Sequence, residues 1–282
     1  MSKKTVLITG ASSGIGKLAA KLFQQKGWNV IATMRSPEKE EELTLLDNVL
    51  VAKLDVQNQA TIDEAVSRGL NKFENIDVLV NGAAYGGFGL LEQFSEEGIM
   101  KMFDTNLFGH IRVIKAVLPN MRKNRNGCII NITSGSALYG MPGISVYCGT
   151  KFALHGLSEA LYFELLPFNI NVKTIAPGGH DTGIAERFDN YLDVGDEELQ
   201  KCSQNFQTHI YETMLKDLGL EGVPLDDPQL VADKIYLCAT EETPLHNIRG
   251  NDVEQLRTMR DSMSDHEFIE KMKSLYVPKM DI

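Results

Sequence analysis

Tyr147 and Lys151, four residues apart in YCGTK, are the pair whose types and spacing point most directly to chemistry. In a helix that spacing puts both side chains on one face. A free phenol has a pKa of about 10, so only about 0.1% is ionised at neutral pH. An ammonium about 5 Å away, at an effective dielectric of about 20, contributes roughly 3 kcal/mol. That is on the order of two pKa units, which predicts a Tyr147 able to give and take a proton near neutrality. On an exposed helix the same pair would be two ordinary surface residues, so support must come from elsewhere. Ser134 offers it, at the end of the apolar run GCIINITS and thirteen residues before the tyrosine. A hydroxyl at the carboxyl end of a strand can polarise a carbonyl, or it can simply cap a turn.

A second group of residues reads as a phosphate site. In TVLITGASSGIGKLAA an apolar strand meets Gly10, Gly14 and Gly16 and turns into a helix pattern. Unpaired N–H groups at a helix start attract phosphate, and a Cβ at the turn would block its approach. Gly10 suits the sharp turn, Gly14 the close pyrophosphate, and Gly16 the packing of helix on sheet. Ser12 and Ser13 add hydroxyl donors. The spacing is G-x3-G-x-G, not G-x-G-x-x-G, and a glycine-rich turn without a ligand is the alternative. Where an NAD site carries an acid, at the end of the second strand, this chain has Met34 and then Arg35. A 2′-phosphate suits a guanidinium and is repelled by a carboxylate, so NADP(H) is expected over NAD(H).

The elements that must position these residues alternate. Strands are expected over 6–9, 29–34, 49–56, 76–84, 127–134 and 170–177. Helices are expected over 17–26, 36–46, 60–73, 95–124 with a break near Pro119, 145–167 and 226–240. The last has Asp227 as its cap and Pro228 at its first position. Strands apolar on both faces predict an α/β fold, a doubly wound parallel sheet with helices on each side. The chain has 282 residues and a net charge of −10, which suits a single domain over 1–282 and argues against a nucleic-acid partner. No apolar run reaches the roughly 18 residues of a membrane span, and MSKK leads into a strand with no apolar leader. Cys128, Cys148, Cys202 and Cys238 form no CxxC pair, so no metal is expected, and free thiols suit a reducing, cytoplasmic compartment. Residues 180–227 break the alternation and read as a substrate lid, and 245–282 as a helical extension.

Taken together, TGASSGIG, LDV, NGAA, Asn106 in DTNLFG, Ser134, YCGTK and PGGHDT resemble the short-chain dehydrogenases/reductases, a Rossmann-fold family, in the family's order. The resemblance implies that Tyr147 is the general acid in reduction, or the base in oxidation. Lys151 would lower its pKa and hold the nicotinamide ribose, and Ser134 would hydrogen-bond the carbonyl oxygen. Asn106 would hold a water linking Lys151 to solvent, and NADPH would deliver hydride. Gly10, Ser12, Ser13, Gly14, Ile15 and Gly16 would surround the pyrophosphate, and Arg35 would take the adenosine phosphate. Asp55, with Val56 beside it, would meet adenine, and Asn81 its ribose. Pro177 and Gly178 lead to Thr182, which would touch the carboxamide. A homodimer or homotetramer is what the family implies.

Three positions depart from the family. Its Asn-Asn-Ala-Gly is Asn81-Gly82-Ala83-Ala84 here: Gly82 loses a donor that would brace the sheet, and a positive φ at Ala84 would cost on the order of 1 kcal/mol. His180 after PGG is expected to be a solvated loop residue, with a substrate contact or a gate as alternatives. Tyr85, Phe88, Ser136, Leu138, Met141 and His180 are the candidate substrate-pocket residues, joined by the lid's Phe188, Tyr191, Leu192 and Phe206. An apolar pocket implies a lipophilic aldehyde or ketone, or its alcohol, similar to the retinol- and hydroxysteroid-type reductases. The alternative is that these aromatics only anchor the lid. A different class, an NADP(H)-binding sensor or scaffold, would be expected to lose the tyrosine or lysine. A cofactor-free dehalogenase would lack the glycine pattern and carry arginine for Lys151.

Overall fold

Strands that are apolar on both faces need cover on both faces, and helices supply it. The computed structural model describes residues 3–180, 195–210, 216 and 225–278. Its strands are β1 (Thr5–Thr9), β2 (Asn29–Met34), β3 (Val49–Lys53), β4 (Val78–Asn81), β5 (Gly127–Ile132), β6 (Ile170–Pro177) and β7 (His246–Arg249). The helices are α1 (Gly14–Gln25), α2 (Gln59–Phe73), α3 (Glu96–Phe103), α4 (His110–Asn124), α5 (Ser145–Leu165), α6 (Glu197–His209), α7 (Gln229–Thr240), α8 (Asn251–Asp261) and α9 (Asp265–Tyr276). The sheet runs β3-β2-β1-β4-β5-β6-β7, every pair parallel. From β1 the order grows outward in both directions, which opens a crevice at the carboxyl ends of β1 and β4.

On one face, Phe23 of α1 meets Trp28 and Tyr236 edge-on at 5.0 and 5.1 Å, and Val231 and Ile235 of α7 are buried with it. On the other, Ile62, Val113, Val117 and Leu165 bring α2, α4 and α5 onto the sheet. A third cluster joins α8 and α9 to Leu138, Tyr139 and Ala176, so the C-terminal helices pack beside the end of β6. No described helix is long and apolar enough to cross a membrane.

Several expectations change. Residues 36–46 form two 3₁₀ turns, Pro37–Lys39 and Leu43–Leu45, instead of a helix. The buried Glu40 carboxylate accepts from the N–H groups of Glu42 and Leu43 at 3.0 and 2.9 Å, which offers the backbone an alternative to helical bonds. Pro119 does not break α4, because Pro119 and Lys115 both lie on its exposed side, where water can satisfy the carbonyl that lost its donor. The irregularity comes earlier, as a π-helical segment at Asp104–Gly109 between α3 and α4. The extension is not helical throughout, since its first part is β7, a polar edge strand. At the start of α7, Asp227 Oδ1 accepts from Gln229 N–H at 2.8 Å, but Pro228 takes the N-cap position and Gln229 is the first helical residue.

Candidate active site

The crevice between β1 and β4 deepens into a cleft of about 370 Å³. One wall begins at the glycine turn. Gly10 has φ +73°, and a Cβ there would lie 3.0 Å from the Ala83 backbone. At Gly16 a Cβ would fall 2.3 Å from the carbonyl oxygen of Gly10, so α1 can start this close to β1 only without a side chain. Gly10, Ser13, Gly14, Ile15 and Gly16 line the cleft, and Ser12 is exposed beside it.

The opposite wall comes from the end of β5 and the first turns of α5. Ser134 Oγ accepts from Ser136 N–H at 3.2 Å, and its hydroxyl acts on the Tyr147 phenol, favouring the ionised form. It therefore caps a turn and meets the phenol at once. Lys151 is 1% exposed, and its Nζ donates to the Ile132 carbonyl at 3.0 Å and stands 5.5 Å from the centre of the Tyr147 ring. Burial pushes Lys151 down to about 7. Tyr147 is pushed up to about 12, chiefly by burial, against the opposing effect of the Ser134 hydroxyl. This corrects the expected lowering of the phenol: the burial that brings the two groups together also weakens the ammonium charge that was to act on it.

α5 is held in place by buried amides. Asn81 Nδ2 donates to Asn131 Oδ1 at 3.0 Å, Asn131 Nδ2 to Ser158 Oγ at 2.9 Å, and Ser158 Oγ to the Leu154 carbonyl at 2.7 Å. The chain of bonds crosses from β4 to β5 to α5. Asn81 is wholly buried, so its side chain braces the sheet and does not reach a ribose in the cleft. The brace expected to be lost at Gly82 is thus present in another form, and Thr9 Oγ1 accepts from Gly82 and Ala83 N–H at 3.0 and 3.2 Å. Ala84 has no positive φ, so the strain considered there does not arise. Asn106 is wholly buried in the π-helical segment. Its Oδ1 accepts from Tyr85 N–H at 3.0 Å, and its Nδ2 donates to the Tyr85 carbonyl at 2.8 Å and to Thr150 Oγ1 at 3.2 Å. Through these three bonds the side chain clamps a loop to α5.

His110, next along α4, is fully buried with Nε2 2.8 Å from the Ala83 carbonyl. Burial, reinforced by the Lys151 charge, pushes it down to about 3.

At the outer end, where the sequence places adenosine, Arg35 is exposed just beyond β2, outside the enclosed part of the cleft. Asp55 is half-buried, with Oδ1 accepting from Gln57 N–H at 3.0 Å. Val56 is buried in the core under α2 and α4, away from the cleft, because its side chain packs with Ile62 and Val113. Pro177 and Gly178 line the inner end, and Thr182 lies outside the described residues.

Of the candidate substrate residues, Ser136, Met141 and His180 line the cleft. Tyr85, Leu138 and Phe88 do not. Tyr85 packs behind Tyr147 with Phe94, Met102 and Val146, and Leu138 lies under α8 and α9. Phe88 fills the space over Gly143, where a Cβ would be 2.3 Å from its ring. His180 is 7% exposed, not solvated, with Nδ1 3.0 Å from the Gly178 carbonyl. Phe188, Tyr191 and Leu192 lie outside the described residues, and Phe206 is half-buried on α6. Sequence reading missed Tyr139 and Asp252, both in the lining. Asp252 Oδ2 accepts from Gly179 N–H at 2.8 Å, so α8 pins the PGG loop. Tyr139 sits in the same hydroxyl-rich stretch as Ser134, and that was its signal; Asp252 gave none.

The donor set fits a dinucleotide. The first turn of α1, which has no side-chain cap, and a buried ammonium line one crevice of a chain with net charge −10, and a guanidinium lies exposed beyond its rim. A phosphate cradle beside a polar Ser–Tyr–Lys wall defines the class: a nucleotide-dependent oxidoreductase of the Rossmann type. The family model for the short chain dehydrogenases matches residues 4–192, and the chain belongs to that family. It is 39% identical over 252 residues to the oxidoreductase YusZ of Bacillus subtilis, covering 86% of each. It is 43% identical over 185 residues to human retinol dehydrogenase 8, covering 62% of this chain and 58% of that one. Among solved structures, ElxO with NADP bound superposes with a TM-score of 0.70 at 30% identity, covering 87% of this chain and 96% of that one.

Proposed function

We propose that the protein is an NADPH-dependent reductase of a lipophilic aldehyde or ketone, able in reverse to oxidise the alcohol. The observation that carries this is the wall at the inner end of the cleft, where the half-buried Ser134 and Tyr147 stand over the buried Lys151. When bound, NADPH supplies the hydride that the carbonyl carbon takes up. Tyr147 then donates its phenolic proton to the carbonyl oxygen, and Ser134 Oγ–H stabilises the charge growing on that oxygen. A phenol pushed up to about 12 is protonated at neutral pH, which favours the reducing direction. Lys151, with a pKa near 7, is poised to return a proton to Tyr147 and to hold ribose hydroxyls. The α1 N-terminus receives the pyrophosphate, and Arg35 the 2′-phosphate. The NADP in ElxO supports this cofactor choice, and the name of retinol dehydrogenase 8 supports a lipophilic substrate. The cleft agrees, with Met141, Ile144 and Tyr139 beside Tyr147.

Phe152 and Phe163 on α5 are exposed and fit an apolar contact between two copies, so a homo-oligomer is part of the reading. All four cysteines are free, which suits the cytoplasm. The test is NADPH oxidation over a panel of long-chain and retinoid aldehydes, ketosteroids and β-keto esters. Turnover is expected on apolar carbonyls. Turnover confined to small polar carbonyls would sink the substrate class, and none on any carbonyl would sink the reductase.

A further inference from the structure

Outside the cleft, α5 and β7 bring two imidazoles and a carboxylate together. His155 and Glu159 stand one turn apart on α5, and His246 opens β7. One ligand atom of each lies within 4.8 Å of the other two. His246 Nε2 is 3.0 Å and His155 Nε2 3.7 Å from the same oxygen, Glu159 Oε1. Donors about 2.0–2.1 Å from a tetrahedral zinc stand roughly 3.3 Å apart, and the two separations bracket that. His246 Nδ1 is 2.9 Å from Thr174 Oγ1, a contact that fixes the ring and leaves Nε2 as the ligand atom. His155 Nδ1 is buried without a hydrogen-bond partner among the described residues, so its ring is held by Glu159 and by stacking on His246, 4.0 Å between centres and 11° between planes.

We propose that His155, Glu159 and His246 bind one divalent transition-metal ion of the zinc class, with water completing the tetrahedron. Two nitrogens and one oxygen suit zinc over magnesium or calcium, which take oxygen ligands. Glu159 is half-exposed, so the ion enters from solvent. The rings are parallel, and capture splays them about χ2, a soft torsion in histidine. Arg257, whose charge reaches His155, is paired with Asp261 at 2.8 Å. His155 is eight residues beyond Tyr147, about 12 Å along the helix, so the ion clips α5 to β7 and takes no part in the reaction.

The test uses the full chain stripped with a chelator. Co²⁺ is titrated and followed by its visible spectrum, and Zn²⁺ is then added in competition. A single equivalent of Co²⁺ is expected to give a tetrahedral d–d band that Zn²⁺ abolishes. At a Zn²⁺ concentration about a hundredfold above Kd the melting temperature is expected to rise by on the order of 5 °C. His246→Gln and Glu159→Gln remove the band. Thr174→Val keeps every ligand and weakens Zn²⁺ binding roughly tenfold or more. Absence of binding by the parent overturns the site. So does binding unchanged in His155→Gln/His246→Gln, or a sulfur-to-cobalt charge-transfer band, which would place the ion on cysteine.

Discussion

The two ends of the cleft are built on opposite principles. At the inner end Lys151, Asn106 and His110 are buried, and Ser134 and Tyr147 share one wall of the cleft. At the outer end Arg35 and Ser12 are exposed, and the Asp55 carboxylate is partly spent on its own turn. Burial shifts proton affinities and makes each lost partner costly, whereas exposed charges act through a screened field. Substitutions inside should therefore change rate or stability by orders of magnitude, and those outside should tune affinity.

The largest effect is expected at Tyr147. Tyr147→Phe keeps the ring and removes the only group proposed to protonate the substrate. Turnover should fall by about 10²–10⁴-fold, with NADPH affinity nearly unchanged. Steady-state NADPH oxidation paired with a fluorescence titration of the cofactor reads both. Turnover within about tenfold of the parent would remove the phenol from the acid role.

Next is the brace. Asn131→Ala takes the acceptor from Asn81 and a donor from Ser158 in a wholly buried place. Each buried group left unpaired costs about 1–3 kcal/mol, so roughly 3 kcal/mol of stability should be lost in urea unfolding. A loss below about 1 kcal/mol would mean that these bonds do not hold α5.

His110 sharpens the contrast through pH. Its folded pKa, about 3, lies below the ordinary histidine value of 6.5, so its contribution is intact above 6.5 and is lost as pH falls toward 3. At pH about 4.5 the folded-to-unfolded ratio should drop on the order of a hundredfold from this side chain alone, about 2.7 kcal/mol. His110→Gln keeps a donor for the Ala83 carbonyl and should flatten this limb of the stability–pH curve. An equally steep limb in the variant would assign the acid sensitivity to other groups.

The inner end was only partly legible in the sequence. Parallel strands announce themselves as apolar runs, so NVIATM gave β2 to the residue, and Ser134, Tyr147 and Lys151 fell on one wall because a strand end and a helix start meet there. β7 was missed because HNIR is an edge strand with one neighbour and almost no apolar signal. Residue type could not say which side of a loop Tyr85 and Leu138 face; both turned to the core. Asp252 reaches the cleft from 73 residues past Gly179, a contact that only the folded chain creates. The Tyr147–Lys151 estimate failed for a related reason, since helical spacing gives a distance but not the desolvation that decides the charge.

The outer end supplies the smallest and cleanest test. If Arg35 binds the 2′-phosphate, Arg35→Asp replaces attraction with repulsion at an exposed site and disturbs no packing. Hydrogen bonds to charged groups contribute about 1.5–3 kcal/mol, so the ratio of kcat/KM for NADPH over NADH should fall roughly 10–100-fold. The change should sit in KM, because the reacting groups are at the other end of the cleft. Raising the salt from about 0.01 to 0.15 M, which shortens the screening length from about 30 to 8 Å, should weaken NADPH binding to the parent more than NADH binding. In the variant that difference should shrink or reverse. A cofactor ratio indifferent to both the substitution and the salt would leave Arg35 a solvated surface charge, with NADP(H) selection arising from the buried end.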